Sequence, residues 1–255
     1  SRRGVCRFFM CKAGAVCEQS RRPRCVCGRT PGRISVFGAE SMKFQTILLV
    51  IEVGGTLAFA MSGLLEAIRK RMDIVGVFSV AFVSAFGGGT VRDLLLDRRP
   101  LFWVQNQEYV WLVIALALTA PLWLKTFQHR FTENAMEVAD ACGLGLFAIS
   151  GASIATAAGM PPLVAILMGA ITAVFGGVSR DVLCNQIPKV FHDHRPYTLC
   201  AVVGCVVLLG THALGVAPQV AMVAGICTAT GSRLLAVAFG WKLPTWPSRK
   251  ARPRP

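Results

Sequence analysis

The sequence Gly-Gly-Thr-Val-Arg-Asp at residues 88–93 occurs again, with two changes, as Gly-Gly-Val-Ser-Arg-Asp at residues 176–181. The same offset of 88 residues aligns Phe-Ala-Met-Ser-Gly (59–63) with Phe-Ala-Ile-Ser-Gly (147–151) without a gap. Over residues 52–100, 14 of 49 positions are identical between the two copies. Two unrelated apolar helices share Leu, Val and Ala by composition, but not both motifs at one offset. The chain therefore contains an internal repeat.

The composition indicates that a bilayer is the main solvent of this repeat. The chain has 255 residues, of which 54% are hydrophobic and 16% charged, with a mean hydropathy of +0.55. Soluble domains carry about 25% charged residues, and a soluble chain of this length could not bury such a surplus of apolar side chains. This balance excludes a disordered chain, a collagen-like fibre and most soluble enzymes.

The net charge of +14 is typical of a nucleic-acid-binding protein, so its distribution along the chain matters. Residues 1–41 hold nine basic and two acidic residues, and from residue 43 onward there are 18 basic and 11 acidic ones. We interpret residues 1–41 as a basic, cysteine-rich arm that is disordered or not native, with the native protein starting at Met42. A short basic tail is usually solvated, so we expect no nucleic-acid partner.

Seven apolar segments are long enough, or nearly so, to cross a bilayer, which takes about 20 residues. They are residues 44–65, 74–91, 109–124, 138–158, 163–179, 198–217 and 219–239. The sequence thus predicts an all-α, polytopic membrane protein with seven transmembrane helices. We divide it into the arm, a first three-helix repeat at 42–131, a second at 132–217, a seventh helix at 218–240 and a basic cytoplasmic tail at 241–255.

Each repeat holds three spans, an odd number, so the second copy must enter the membrane from the opposite face. Such inverted repeats occur in many transporters, which bind solutes near the membrane midplane at broken helices. Lys and Arg in short loops favour the cytoplasmic side, and 13 of them share one side if the N-terminus is outside. We therefore predict a plasma (inner) membrane protein with its N-terminus outside and its C-terminus in the cytoplasm.

The glycine motifs lie in the second helix of each repeat, near the midplane. Gly88 follows Ile74 by 14 residues, which is about 21 Å of travel at ~1.5 Å per residue. Adjacent glycines allow a kink that frees backbone carbonyls as cation ligands, but they also allow two helices to pack tightly. One set of residues could therefore form a pore or hinge, or could serve only for tight packing. These residues are Gly87, Gly88, Gly89, Thr90, Gly176, Gly177 and Val178.

An Arg-Asp pair follows each glycine motif by one turn. Charges at this depth are costly, so they should face a cavity or pair with one another. Pairing across the repeats, Arg92 with Asp181 or Arg180 with Asp93, is attractive because neighbours on one helix point in different directions. The pairs could form a structural clamp or a gate. Two acids at matching positions in the first helix of each repeat could attract ions or neutralise the arginines; they are Glu52 and Asp140.

An enzyme is the less favoured class of protein. His192 and His194 flank Asp193, but a metal site would need further ligands. The chain has neither a Gly-x-Gly-x-x-Gly motif after a strand nor a phosphate loop. We expect no catalytic residue, no metal and no cofactor.

The motif Phe-Ala-x-Ser-Gly followed by Phe-Gly-Gly-Gly-Thr-Val-Arg-Asp (86–93), with its second copy at 175–181, resembles a bacterial membrane family. That family is related to the trimeric intracellular cation channels and is also described as glycine transporters. The resemblance covers residues 43–240. It implies a homotrimer in which each subunit has its own hourglass pore, with the second and fifth helices kinked at Gly87–Gly89 and Gly176–Gly177. The second motif has two glycines where the first has three, so equal flexibility of the two sites does not follow.

Together these features predict a channel that conducts a small monovalent cation, with potassium as the first choice. One alternative is a glycine transporter, since helix ends and paired charges can bind both groups of an amino acid. Another is a membrane scaffold that transports nothing. A channel and a carrier share this architecture, so the sequence does not separate them.

Overall fold

The computed structural model describes residues 35–124, 129–192 and 196–241, and within these ranges the regular structure is helical, as predicted. The helices in these ranges are α1 Ser35–Arg69, α2 Ile74–Leu95, α3 Phe102–Gln105, α4 Glu108–Leu124, α5 His129–Ala157, α6 Pro162–Leu183, α7 Lys189–His192, α8 Thr198–Ala213 and α9 Pro218–Ala238.

Five helical segments are long and apolar enough to cross a membrane. They are Phe44–Arg69, Ile74–Leu95, Asn134–Ala157, Pro162–Leu183 and Pro218–Ala238. Two shorter apolar helices, Glu108–Ala120 and Thr198–Ala213, coincide with the predicted third and sixth spans. The chain is therefore a polytopic helical membrane protein, and the count of seven spans stays a prediction.

Two helices begin well before their predicted spans. α1 begins at Ser35, inside the predicted arm, and α5 begins at His129, before the predicted repeat boundary at residue 132. Neither segment contains a proline, which would have ended the helix. Residues 1–34 of the predicted arm and 242–255 of the predicted tail lie outside the described residues.

Local sequence signals explain where several helices start and stop. The Asp73 side chain caps α2 by accepting a hydrogen bond from the Gly76 backbone N–H at 2.7 Å. Pro162 and Pro218 stand at the first position of α6 and α9, where the missing N–H costs nothing. The turn after α5 needs the left-handed backbone conformation, which Gly159 supplies with φ of +78°.

The long helix α5 lies at the centre, packed against α1, α6, α8 and α9, while α2 packs against α1, α4 and α6. One apolar core surrounds Leu64 and Phe86 on the side of α2 and α4. A second core surrounds Leu144 on the side of α8 and α9. The rings of Phe59 and Phe147, which are equivalent in the two copies, stack with centres 5.5 Å apart. This contact joins α1 to α5.

α2 and α6 cross at their glycine motifs. A Cβ atom on Gly88 would lie 2.1 Å from the Thr172 carbonyl oxygen, and one on Gly176 would lie 2.8 Å from the Ser84 carbonyl oxygen. Both helices continue through the motifs without interruption. The glycines therefore bring two backbones into contact, and a hinge at these positions stays a prediction.

The substitution Gly88→Ala should destabilise the protein, because the added methyl group would clash with a backbone carbonyl that can move only if its helix moves. We expect a loss of about 1–3 kcal/mol, the usual range for overpacking, measured as a lower melting temperature in detergent. The matched control is Gly231→Ala in α9, where nothing in the described structure beyond the neighbouring residues and backbone of its own helix lies within 4 Å of the added methyl group. Alanine's helix propensity should make that variant neutral or more stable by about 1 kcal/mol. Equal melting temperatures would contradict the close crossing.

Candidate functional site: two buried ion clusters

Arg92 of α2 is fully buried at the centre of the first ion cluster, which consists of Glu52, Arg92, Asp93 and Ser150. Its Nη1 lies 2.8 Å from Glu52 Oε1 of α1 and donates to Ser150 Oγ of α5 at 2.9 Å. Its Nε and Nη2 lie 2.9 and 2.8 Å from Asp93 Oδ1. One guanidinium thus joins α1, α2 and α5.

Arg180 of α6 has the same position in the second ion cluster, which consists of Ser62, Asp140, Arg180 and Asp181. Its Nη1 donates to Asp140 Oδ1 of α5 at 2.6 Å and to Ser62 Oγ of α1. Its Nε and Nη2 lie 2.9 and 2.8 Å from Asp181 Oδ1. Every member of this cluster stands 88 residues from a member of the first.

The pairing considered across the copies, Arg92 with Asp181 or Arg180 with Asp93, is wrong. Among the described residues, the acidic partners of each arginine belong to its own copy and include the next residue along the helix. The arginine side chain is long enough to turn back onto the neighbouring carboxylate, which an argument from helix directions alone overlooks. The group that crosses between the copies is the serine hydroxyl of each cluster.

Glu52 and Asp140 form ion pairs with the arginines, and the role of attracting ions stays a prediction. Both acids are almost fully buried, at 9% and 4% exposure. An arginine held by two carboxylates at this depth satisfies the need of a buried charge for a fixed partner. The buried groups of each cluster are nevertheless two carboxylates and one guanidinium, so they carry a formal negative charge, and beside the first cluster the half-exposed Arg98 lies 3.8 Å from Asp93.

The second oxygen of each aspartate fixes the chain that follows its helix. Asp93 Oδ2 accepts a hydrogen bond from the Phe102 backbone N–H at 2.9 Å, at the start of α3. Asp181 Oδ2 accepts one from the Lys189 backbone N–H at 2.9 Å, at the start of α7. These N–H groups have no partner within their own short helices. The ion clusters therefore also position the connections that follow α2 and α6.

An aromatic side chain covers the last glycine of each motif. A Cβ atom on Gly89 would lie 2.3 Å from the Phe102 ring, and one on Gly177 would lie 2.7 Å from the Tyr197 hydroxyl. The Phe102 ring also faces Arg92, with 5.4 Å between the guanidinium carbon and the ring centre. Any larger residue at either glycine would have to displace the aromatic side chain.

The other residues predicted for the pore lie beside these groups. A Cβ atom on Gly87 would lie 3.3 Å from Ser179 Oγ of α6. Thr90 Oγ1 accepts a hydrogen bond from the Trp103 indole N–H at 3.1 Å. Val178 lines a narrow cleft next to the second ion cluster. Thr90 and Val178 are both partly buried.

Sequence reasoning missed the two tyrosines of the chain, Tyr109 and Tyr197. They also stand 88 residues apart, and both are buried. The Tyr109 ring centre lies 6.1 Å from that of Phe102, and the Arg233 guanidinium carbon lies 4.7 Å from the Tyr197 ring centre. An alignment of the copies that continued past residue 100 would have found this pair.

The histidine pair considered as metal ligands contributes no described site. Asp193 and His194 lie outside the described residues. Within residues 35–124, 129–192 and 196–241, no group of three or more His, Cys, Asp or Glu residues is placed to hold a metal ion.

Comparison with known proteins places the chain beside membrane proteins. A family model described as glycine transporter matches residues 49–125 and 137–213, two segments offset by 88 residues. The UPF0126 membrane protein of Vibrio cholerae is 36% identical over 209 residues, which is 82% of this chain and 86% of the relative. The UPF0126 inner membrane protein YadS of Escherichia coli K12 is 36% identical over 197 residues, 77% of this chain and 94% of the relative.

Two solved structures are similar in both fold and sequence. The TRIC trimeric intracellular cation channel orthologue from Rhodobacter sphaeroides has a TM-score of 0.72 and 35% identity, and the match covers 77% of this chain and 100% of that chain. A structure that addresses conductance through TRIC cation channels has a TM-score of 0.69 and 33% identity, covering 79% and 98%.

The substitution Arg180→Leu should destabilise the protein strongly, because it leaves two buried carboxylates without their counter-charge. Breaking a buried ion pair from one side costs about 3–5 kcal/mol, which a thermal melt in detergent would detect. The control is Arg98→Leu, whose side chain is 44% exposed and lies 3.8 Å from Asp93, and whose loss should cost less than about 1 kcal/mol. Similar losses in both variants would contradict the buried cluster.

Proposed function

The chain belongs to the glycine transporter family of membrane proteins, and on that premise we propose that it is a channel for a small monovalent cation, with potassium as the first choice. It is a multi-pass membrane protein. We place it in the plasma (inner) membrane, since its relative in Escherichia coli is described as an inner membrane protein.

The observation that carries the proposal is the charge of the two ion clusters. In each, the buried groups are two carboxylates and one guanidinium, with a formal negative charge, and beside the first the 44% exposed Arg98 lies 3.8 Å from Asp93. Each cluster lies on helices long enough to cross the membrane. A net negative site in a low-dielectric environment attracts cations and repels anions. In the inverted arrangement proposed below, a cation would meet equivalent chemistry from either face.

The similar structures support the choice of a cation over glycine. They are described as cation channels, at 35% and 33% identity to this chain. The alternative of a glycine transporter is favoured by the description of the family. The carboxylate of glycine, however, would approach clusters whose formal charge is also negative. A scaffold without transport is the third possibility, and flux measurements separate all three.

We propose the topology of seven spans, with two inverted three-helix repeats and a seventh helix. The family model matches twice at the repeat offset, and the ion clusters repeat at that offset too. The helices Glu108–Ala120 and Thr198–Ala213 would be the third and sixth spans. The placement of Lys and Arg favours an outside N-terminus and a cytoplasmic C-terminus.

We propose further that the protein works as a homotrimer in the lipid bilayer, with one pore in each subunit. A similar structure is described as a trimeric channel. The proposal includes no catalytic residue, cofactor or nucleic acid.

The glycine motifs are the proposed hinges of the pore. Gly87–Gly89 and Gly176–Gly177 lie where α2 and α6 meet, so movement of one helix against the other would act directly on Thr90, Val178 and the ion clusters. Glycine permits backbone angles that other residues resist. In this proposal the clusters act as a gate as well as a clamp.

Purified protein in liposomes tests the function. We expect conductance steps in a potassium gradient, with a reversal potential that shows cation selectivity. Saturable glycine uptake without conductance would favour the carrier, and no flux of either solute would favour the scaffold. Arg92→Ala and Asp181→Ala variants that still assemble should lose flux. Unchanged flux in both would remove the ion clusters from the mechanism.

Cysteines placed at Thr90 and Val178 test the course of the pore. In a background without native cysteines, both should react with small water-soluble thiol reagents, because a water-filled pathway passes them. The matched control is Ala85→Cys, at a position on α2 that is fully buried in the apolar core and should stay protected. Complete protection at both test positions in every buffer would contradict the proposed pore.

A further inference from the structure

Glu66 is a buried carboxylate that the ion clusters do not use. It lies in the last turn of α1 with 1% of its surface exposed. Neither carboxylate oxygen has a hydrogen-bond partner among the described residues. The Arg69 Nε atom lies 3.8 Å from Glu66 Oε2, beyond hydrogen-bond distance, and the Arg69 side chain is one-third exposed. An ionised carboxylate in this position needs a further positive partner.

Glu66 stands one helical turn beyond the second ion cluster. Ser62, four residues earlier on α1, accepts a hydrogen bond from Arg180. Cys184, four residues after Arg180, follows the end of α6 and belongs to the apolar core beside α1. Burial, together with the negative charge of Glu66, raises the pKa of the Cys184 thiol to about 11. The thiol is therefore neutral at physiological pH and adds no charge.

The repeat shows that the fold does not require an acid here. The positions equivalent to Glu66 and Cys184 in the other copy are Ile154 and Leu96. Ile154 is buried, and Leu96 packs against a small apolar cluster. The same position is thus occupied by an apolar side chain in the second copy and by a carboxylate in the first. This difference points to a role for Glu66 other than packing.

The backbone adds negative potential at the same place. The C-terminal ends of α1 and α6 both lie there, and a helix end of this kind carries a partial negative charge. Several of the last carbonyl oxygens already accept a hydrogen bond from a backbone N–H that follows the helix, and each keeps a second lone pair. Carboxylate and carbonyl oxygens are the ligands that alkali metal cations find in membrane proteins. The Glu66 side chain and the helix ends both favour a cation here, and they are opposed by the exposed charges of Arg69, Lys70 and Arg71.

We propose that Glu66, with the carbonyl ends of α1 and α6, is a binding site for an alkali metal cation one turn from the second ion cluster. The inference rests on the proposed function, since the bound ion would be the permeant one on its way to or from that cluster. Because the other copy lacks the acid, the site makes the two ends of the pathway unequal.

The test uses the full-length protein and the isosteric variant Glu66→Gln, with Glu108→Gln, an exposed acid of α4, as the matched control. In detergent, KCl should raise the melting temperature relative to N-methyl-D-glucamine chloride at equal ionic strength, because a ligand that binds the folded state stabilises it. We expect this shift in the unmodified protein and in the control, and its loss in Glu66→Gln. In liposomes, potassium conductance should fall at least about fivefold in Glu66→Gln, because one unit charge at ~4 Å has that effect even in bulk water and a larger one at a buried site.

The two measurements separate this site from the proposed function. If the unmodified protein conducts no cation but keeps a potassium shift that requires Glu66, the channel proposal fails and the binding site stands. If Glu66→Gln keeps both the shift and the conductance, the site is overturned. The site is also overturned if KCl does not raise the melting temperature of the unmodified protein and Glu66→Gln raises it in both salts. Glu66 would then be a neutral buried acid.

Discussion

A guanidinium enclosed by membrane-spanning helices is the constraint on which the rest of this structure depends. Such a charge cannot reach water, so its partners must be fixed around it by the fold. Arg92 and Arg180 each meet this need with one acid from a neighbouring helix, one acid from their own helix and one serine from the other copy. The helices that supply these groups are thereby held together at one depth.

The close crossing of α2 and α6 serves the same requirement. Helices in a bilayer gain little from hiding apolar surface from each other, so packing contacts and polar contacts must hold them. Glycine has no side chain to keep the two backbones apart, and Arg92 and Arg180 follow the crossing by one turn of their helices. The tight crossing and the ion clusters are therefore two parts of one arrangement.

Much of this arrangement could be predicted because the same sequence pattern occurs twice in the chain. The repeat offset and the identity of the clustered acids and arginines follow from matching residues such as Glu52 and Asp140, and the membrane setting follows from the apolar composition. The partner of each arginine could not be predicted, because side-chain length decided it rather than helix direction. Ser62 and Ser150 belong to the Phe-Ala-x-Ser-Gly motif, but their role could not be predicted. A serine hydroxyl accepts such a hydrogen bond only when folding brings a donor from another helix to it. Tyr109 and Tyr197 were missed because the aligned window ended before them.

The crossing of α2 and α6 also limits how far the two halves can diverge. Gly88 lies on the carbonyl of Thr172, and Gly176 lies on the carbonyl of Ser84, so each copy provides the surface against which the other's glycine is packed. If a larger residue replaced either glycine, no second substitution in the same half could make room for it. The clashing atom is a main-chain carbonyl oxygen of the other half. At these positions the duplicated segments are obliged to stay alike, whereas Glu66 and Ile154 show how freely they can differ one helix away.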